Sequence, residues 1–248
     1  FDQFQQGVAA LGAGDVSIQA GGQLKNLSAS TPTQARMTST TPDAANLVKT
    51  GGGDVHITTG GDIEGGQYYA DNGELVIRSG GQVTSGQSIN GKPLYTILAL
   101  GDAEAKVQAR NDINLHAIIN PHLVVQSSGA GANVNVNNAT SPLWSVFSTY
   151  GENSGASVSS LSGAMNFHNA PGGSGTLASM ISSTGAYKTP LNFAISTTNY
   201  SAARAFAVLP SSLDMTAFQG DILLGGSGIM QPAARGNVSL LAANSISL

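Results

Sequence analysis

Apolar and polar residues alternate along several short stretches of the chain, and the same phrase returns in each stretch. Apolar residues stand at its third, fifth and eleventh places, and a Gly pair stands at the eighth and ninth. The clearest copies are GDVSIQAGGQL from Gly14, GDVHITTGGDI from Gly53 and GELVIRSGGQV from Gly73. Alternation with a period of two puts Val16 and Ile18 on one face of a strand. The phrase therefore predicts a strand, a turn and a second strand, repeated along the chain.

Further copies extend the repeat towards the C-terminus. They are AEAKVQARNDI from Ala103, the shorter GDILLGGSGI from Gly220, and GNVSLLAANSI from Gly236. The 20 residues from Gly53 to Gly73 suit one coil of a solenoid, and the 39 residues from Gly14 to Gly53 are close to two coils. A strand with one apolar face cannot bury that face alone, whereas stacked copies share a core. We predict an all-β fold, namely a right-handed parallel β-helix (β-solenoid) with loop or small lateral insertions. It would have about 12 coils and a length of about 55–60 Å.

The chain divides into three stretches by how well the phrase is kept. Residues 1–137 are predicted to form β-helix coils, with a Ser/Thr/Pro-rich surface loop near residues 28–50. Residues 138–215 lose the phrase and hold most of the aromatic residues, which indicates irregular coils or an insertion. Residues 216–248 return to the phrase, and we expect coils that continue beyond this fragment.

Composition narrows the class of protein. The chain has 32 glycines and only 10% charged residues, which suits strands with an uncharged polar outer face better than helices. The net charge is −4 and no basic stripe is present, so we predict no nucleic-acid partner. No run of 18 apolar residues occurs, so no membrane span is predicted. Cysteine is absent, which excludes a disulfide scaffold and fits a chain that is exported unfolded.

Aspartates recur beside the turn signals of the phrase. We interpret them as turn residues rather than as catalytic or calcium-binding groups, because the tandem GGxGxD pattern of calcium-binding repeats does not occur. The four histidines are scattered, and no HExxH motif is present. The sequence therefore predicts no metal site and no cofactor. The aspartates in question are Asp15, Asp54, Asp102, Asp112 and Asp221.

Three features together carry a resemblance to a known family: the repeated GDVxIxxGG phrase, the stretch GGGDVHITTGGDIEGGQYYADNGELVIRSGG (51–81), and AFQGDILL (217–224). With them the chain resembles the filamentous haemagglutinin-like large exoproteins, the family of two-partner secretion adhesins and contact-dependent inhibition proteins. The resemblance implies a parallel β-helix that is exported through an outer-membrane two-partner secretion transporter. It also implies a secreted or cell-surface location and a role in attachment to host cells, biofilm or neighbouring bacteria.

Aromatic side chains are the candidates for ligand contact, because they are frequent at binding hot spots. The candidates are Tyr68, Tyr69, Trp144 and Tyr150, and the ligand would be a cell-surface glycan or a protein receptor. Tyr68 and Tyr69 lie among four carboxylates, Asp62, Glu64, Asp71 and Glu74. Paired carboxylates beside aromatics also suit a polysaccharide-cleaving enzyme. We favour a non-enzymatic adhesive segment, with that β-helix enzyme and a ligand-free spacer as the alternatives.

Overall fold

A computed structural model describes residues 7–41, 43–87, 91, 93–120, 150–168, 208–225 and 228–248. In these residues the chain is all-β, with two large parallel sheets and three two-stranded sheets. One turn of 3-10 helix lies at Ala44–Asn46. Within the described ranges, no helix is long and apolar enough to cross a membrane.

The strands of the two large sheets follow one another along the chain. The first sheet contains β1 (Gly7–Ala9), β2 (Val16–Ala20), β4 (Ser28–Thr31), β7 (Val55–Thr59), β9 (Gly66–Ser79), β13 (Thr96–Ala109), β15 (Ala117–Ile119), β16 (Gly155–Ser160), β19 (Ser212–Ala217) and β22 (Asn237–Ala242). The second sheet contains β3 (Leu24–Lys25), β8 (Ile63–Glu64), β10 (Val83–Thr84), β14 (Ile113–Leu115), β17 (Met165–Phe167), β20 (Ile222–Leu224) and β23 (Ile246–Ser247). The small sheets pair β5 (Thr33–Met37) with β6 (Leu47–Gly51), β11 (Gly86–Gln87) with β12 (Pro93–Leu94), and β18 (Val208–Leu209) with β21 (Ile229–Met230).

Parallel pairing arranges these strands in three ladders. The first ladder comprises β2, β7, the second half of β9, the second half of β13, β16, β19 and β22. The second ladder consists of the seven strands of the second sheet. The third ladder comprises β1, β4, the first halves of β9 and β13, and β15. The chain passes from the first to the second ladder seven times, and we number these passages levels 1 to 7, from β2–β3 to β22–β23.

The alternating apolar residues form columns in the core, as the phrase predicts. At its third place Val55 pairs with Leu75, and at its fifth place Ile57 pairs with Ile77. All four side chains are fully buried. Burying an aliphatic side chain of this size contributes about 1.5–3 kcal/mol, so these columns are the main stabilising feature of the stack. The eleventh place supplies the second-ladder column of Ile63, Val83, Ile113, Met165 and Ile222.

A short corner joins the first to the second ladder at every level. It has three residues at levels 1–4 and 7, as at 80–82, and four at levels 5 and 6, as at 161–164. The Gly pair of the phrase lies here, and its role is close stacking. A Cβ on Gly80 would lie 2.4 Å from the Gly60 carbonyl oxygen of the preceding level, and a Cβ on Gly60 would lie 2.2 Å from that of Gly21. Glycine is needed because neighbouring backbones approach too closely for a side chain.

The prediction of two coils between Gly14 and Gly53 is wrong. Val16 pairs directly with Val55, so these 39 residues make one level with an inserted hairpin, β5–β6. The described chain therefore has seven levels instead of 12 coils. Six steps of about 4.8 Å give a stack about 29 Å long.

The copy that was assigned from Gly220 is out of phase. Ile222 was placed at the third place of the phrase, but it pairs with Ile246 in the second ladder, which is the eleventh place. Level 6 begins earlier, with Leu213 and Met215 in the first ladder. The four-residue corner explains the error, because it lengthens the distance from the third to the eleventh place from eight to nine residues (213 to 222, against 75 to 83).

The predicted surface loop near residues 28–50 is also corrected. Residues 28–31 form the buried strand β4, and residues 33–51 contain the antiparallel hairpin. Small polar residues can be buried here because their hydroxyl groups find partners. Ser28 accepts the backbone N–H of Gln67 at 3.0 Å, and the Thr31 hydroxyl donates to the Gly53 carbonyl at 2.7 Å. In the stretch 138–215, residues 150–168 and 208–215 form regular strands of levels 5 and 6, and the remainder lies outside the described residues.

Candidate functional site

The two adjacent tyrosines predicted as ligand contacts are buried in the third ladder. Tyr68 is fully buried, and its hydroxyl donates to the Gly65 carbonyl at 3.1 Å. Tyr69 is 6% exposed. Burial raises the pKa of both phenols, and the Asp71 carboxylate raises that of Tyr69 further. Tyr68 therefore has no free ring face for stacking on a sugar, and Tyr69 has little.

Of the other two predicted aromatic contacts, Tyr150 lies near the start of level 5. Tyr150 is 4% exposed, and its hydroxyl donates to the Val208 carbonyl at 3.2 Å. Burial raises the pKa of this phenol as well. Trp144 lies outside the described residues. Tyr150 is part of the core between levels, so it is not placed as a surface contact.

Each of the four carboxylates of the enzyme hypothesis has a structural partner. Asp62 is the last residue of the short corner at level 2, and Glu64 follows in the second ladder, where it pairs with Lys25 at 3.1 Å. Asp71 is 6% exposed and accepts the hydroxyl of Thr33. Glu74 lies on the outer face of the first ladder. The arrangement distributes the four carboxylates over two sheets and the short corner.

Glu74 belongs to a charged cluster on the outer face of the first ladder. The Lys106 ammonium lies 2.5 Å from Glu74 Oε1 and 3.5 Å from Glu104, and His56 Nε2 lies 3.8 Å from Glu74 Oε2. The hydrogen bond from Lys106 is the main cause that lowers the pKa of Glu74, and the same bond raises the pKa of Lys106. All these groups are solvent-accessible, so the cluster is a modest cross-strand contact.

The aspartates beside the turns connect one level to the next. Each uses Oδ1 to accept a backbone N–H from the following level, at 2.8–3.0 Å. We predicted turn residues, and each of these aspartates does have a structural partner, but that partner belongs to a neighbouring level and not to the residue's own turn. The pairs are Asp15 with Asp54, Asp54 with Glu74, Asp62 with Gln82, Asp102 with Asn153, Asp112 with Ala164, and Asp221 with Ser245.

A groove of about 430 Å³ runs along the outer face of the second ladder at levels 4 to 7. Asp112 and Asp221 line it two levels apart, which corresponds to about 10 Å. Asn114 and Asn166, which pair on adjacent strands, and the half-exposed Leu223 also line it. The wall thus offers carboxylate oxygens, amide donors and acceptors, and one apolar side chain.

The groove exists where a long side chain of the repeat is replaced by a short one. Gln82 stands between Asp62 and Asp112 in the second-ladder column, and its Nε2 lies 3.4 Å from Asp62 Oδ2. Ala164 holds the equivalent place between Asp112 and Asp221. We did not predict this site from sequence. The signal in the sequence was the change from Gln82 to Ala164 at the tenth place of the phrase. It could not be found because the phrase was not aligned correctly to levels 5 and 6.

Comparison with known proteins adds no relative. No protein-family model, curated protein or solved structure matches the chain.

Among the described residues there is no group of three or more His, Asp or Glu that could hold a metal ion. The groove is the surface of the described residues from which a ligand contact can be argued.

Proposed function

We propose that this chain is a right-handed parallel β-helix segment of a secreted filamentous surface exoprotein that attaches bacteria to other cells or to biofilm. The observation that carries the proposal is the unbroken parallel pairing of the first and second ladders over seven levels. A chain that visits the ladders in turn, always in parallel, supports the solenoid proposal. A right-handed course is the one that parallel crossovers favour.

The distribution of insertions supports a rod with one regular side. The short corner stays at three or four residues at every level. The interval from β4 to β7 contains the hairpin β5–β6, and the interval from β10 to β13 contains β11–β12. Among the described residues, both inserted hairpins therefore lie next to the third ladder and outside the short corner. The outer faces of the first and second ladders remain a continuous surface, which suits a fibre that lies along or reaches towards another surface.

Export and location follow from the resemblance to filamentous haemagglutinin-like exoproteins. We propose an outer-membrane two-partner secretion transporter as the partner during export and the bacterial surface as the destination. The absence of cysteine supports this, since no disulfide would hinder passage of the unfolded chain.

We assign the attachment contact to the groove on the second ladder. Carboxylate and amide groups hydrogen-bond to hydroxyl groups, and Leu223 can pack on the apolar face of a sugar ring. The ligand class is therefore a hydroxyl-rich, uncharged glycan. Because one groove is small, weak contacts repeated along many exoproteins on one cell would supply the overall strength of attachment.

A glycan array tests the assignment, with Ala164→Gln as the decisive variant. Gln at this place copies Gln82 and is expected to fill the groove without disturbing the corner. Ser157→Gln, on the outer face of the first ladder at the same level, is the matched control. We expect the natural chain and the control to bind an uncharged glycan, and Ala164→Gln to lose at least tenfold in signal.

The outcomes separate the remaining functions. Equal binding by all three chains would overturn the groove as the contact. No binding by the natural chain, together with cell attachment by beads that carry it, would point to a protein receptor. No attachment in either assay would leave a ligand-free spacer, and cleavage of the arrayed glycans would reveal the enzyme.

A further inference from the structure

Three rings meet where the second ladder turns towards the third. The rings of Tyr95 and His116 are stacked, with centroids 4.0 Å apart and planes inclined by 21°. His168 lies on level 5, the level after that of His116, and its ring centroid is 6.1 Å from that of His116. Backbone pairing fixes this arrangement, because Leu115 pairs with Phe167 and the histidines come next on each strand. The backbone N–H of His168 also donates to the backbone carbonyl of Leu115 at 2.9 Å.

His116 carries a buried nitrogen without a hydrogen-bond partner. The residue is 6% exposed, and its Nε2 neither donates nor accepts a hydrogen bond. A buried polar atom left in this state is destabilising unless something else satisfies it. Burial, followed by the nearby His168, lowers the pKa of His116 to about 4. A neutral imidazole with its proton on Nδ1 presents a free lone pair at Nε2, the atom that has no partner here.

We propose that His116 and His168 form a two-histidine site for a divalent transition-metal ion of the class that includes Zn²⁺, Ni²⁺ and Cu²⁺. Neutral imidazole is the side chain that these ions bind most readily. With nitrogen-to-zinc distances of about 2.0–2.1 Å, two imidazoles on one tetrahedral ion have centroids about 5 Å apart. The observed separation is 6.1 Å, so binding would require the exposed His168 ring to move about 1 Å closer to His116. Water or a partner's side chain would complete the coordination.

Among the described residues, the site is open on the side of level 6. His168 is exposed. On level 6, the residue that stacks next to His168 is Gly225, whose backbone N–H donates to the Phe167 carbonyl at 2.7 Å. Glycine adds no side chain over the His168 ring. The site is distinct from the groove, so glycan binding and metal binding can succeed or fail separately.

Titration of the intact chain with Zn²⁺, followed by calorimetry and by NMR of the imidazole protons, tests the proposal. His168→Gln is the main variant, because this ring is exposed and its loss spares the core. His56→Gln is the matched control, since His56 is exposed on the first ladder and lies beside Glu74. His116→Gln serves as a second variant once its fold has been checked by circular dichroism.

We expect Zn²⁺ to shift the His116 and His168 signals together with a stoichiometry of one ion per chain. His168→Gln should weaken binding by at least about tenfold, while His56→Gln should leave it unchanged. Titration with Co²⁺ should give visible absorption that His168→Gln abolishes. Zn²⁺ binding that survives His168→Gln, or no shift of the His116 signals at saturating Zn²⁺, would overturn the proposal.

Discussion

The backbone N–H of Gln82 donates to the Asp62 carboxylate of the preceding level at 2.9 Å. Asp112 and Asp221 repeat this contact two and four levels further on, with Ala164 and Ser245 as donors. A turn aspartate in this stack therefore acts between levels. Its negative charge strengthens the bond compared with a neutral acceptor.

Removal of this carboxylate should loosen the stack. We expect Asp62→Ala to lower the free energy of unfolding by about 1–3 kcal/mol, because the Gln82 N–H loses its charged acceptor. Asp43→Ala is the control, since Asp43 accepts only the local Ala45 N–H in the hairpin. Urea unfolding followed by circular dichroism measures both. An unchanged midpoint for Asp62→Ala would contradict the role between levels.

The loss of stability on replacing a corner glycine by alanine should depend on the level at which that glycine lies. A Cβ on Gly80 would meet a backbone oxygen at 2.4 Å, whereas a Cβ on Gly21 has nothing within 4 Å. We expect Gly80→Ala to lower the melting temperature by several degrees, and Gly21→Ala to change the stability by less than about 0.5 kcal/mol. Thermal unfolding of the two variants is the measurement. Equal effects would show that conformation, rather than stacking, selects glycine.

The core column should weaken towards the C-terminal level. Leu75 is fully buried at level 3, and Val238 occupies the same column at level 7 but is 51% exposed. We expect Leu75→Ala to cost about 2–5 kcal/mol and Val238→Ala less than about 1 kcal/mol. Chemical unfolding gives both values. A large effect at Val238 would mean that this end is covered in solution.

Acid should remove the contribution that the Glu74–Lys106 ion pair makes to the stability of the fold. Since its pKa in the folded chain lies below its ordinary value, the stabilisation is complete above about pH 4.3 and disappears as the pH falls through the folded value. NMR titration of the Glu74 carboxyl carbon should show this low midpoint. Lys106→Met should raise it, and Lys49→Met in the hairpin should not. The same midpoint in all three chains, or one that high salt leaves unchanged, would contradict the ion pair.

The third, fifth and eleventh places of the phrase predicted which residues pair between levels. The pairing of Leu75 with Ala105 and of Val83 with Ile113 confirms the match of the degenerate copy from Ala103. Levels 5 and 6 were missed because one extra corner residue changes the spacing, and a fixed template cannot follow it. The hairpin between β4 and β7 was missed because neither the phrase nor the composition shows where a level ends.

The site was predicted less well than the fold. Aromatic type suggested Tyr68 and Tyr150 as contacts, but alternation in a strand does not reveal which aromatic side chains stay in the core. The structure instead places the groove at Ala164, a residue with no chemistry of its own. Its importance arises from the neighbouring levels, where Gln82 fills the same place.

The alternation of Asp62, Asp112 and Asp221 has a mechanical consequence. Backbone hydrogen bonds run along the stacking axis, so a pull on the two ends loads every level in series. In the short corner of the described chain, carboxylates reinforce the joints between levels 2 and 3, 4 and 5, and 6 and 7. Among the described residues, side chains add no hydrogen bond in this corner between levels 1 and 2, 3 and 4, or 5 and 6. Under tension we expect the corner to part at these three joints first. Levels 2–3, 4–5 and 6–7 would then separate as paired blocks, each of which can close again when the load is released.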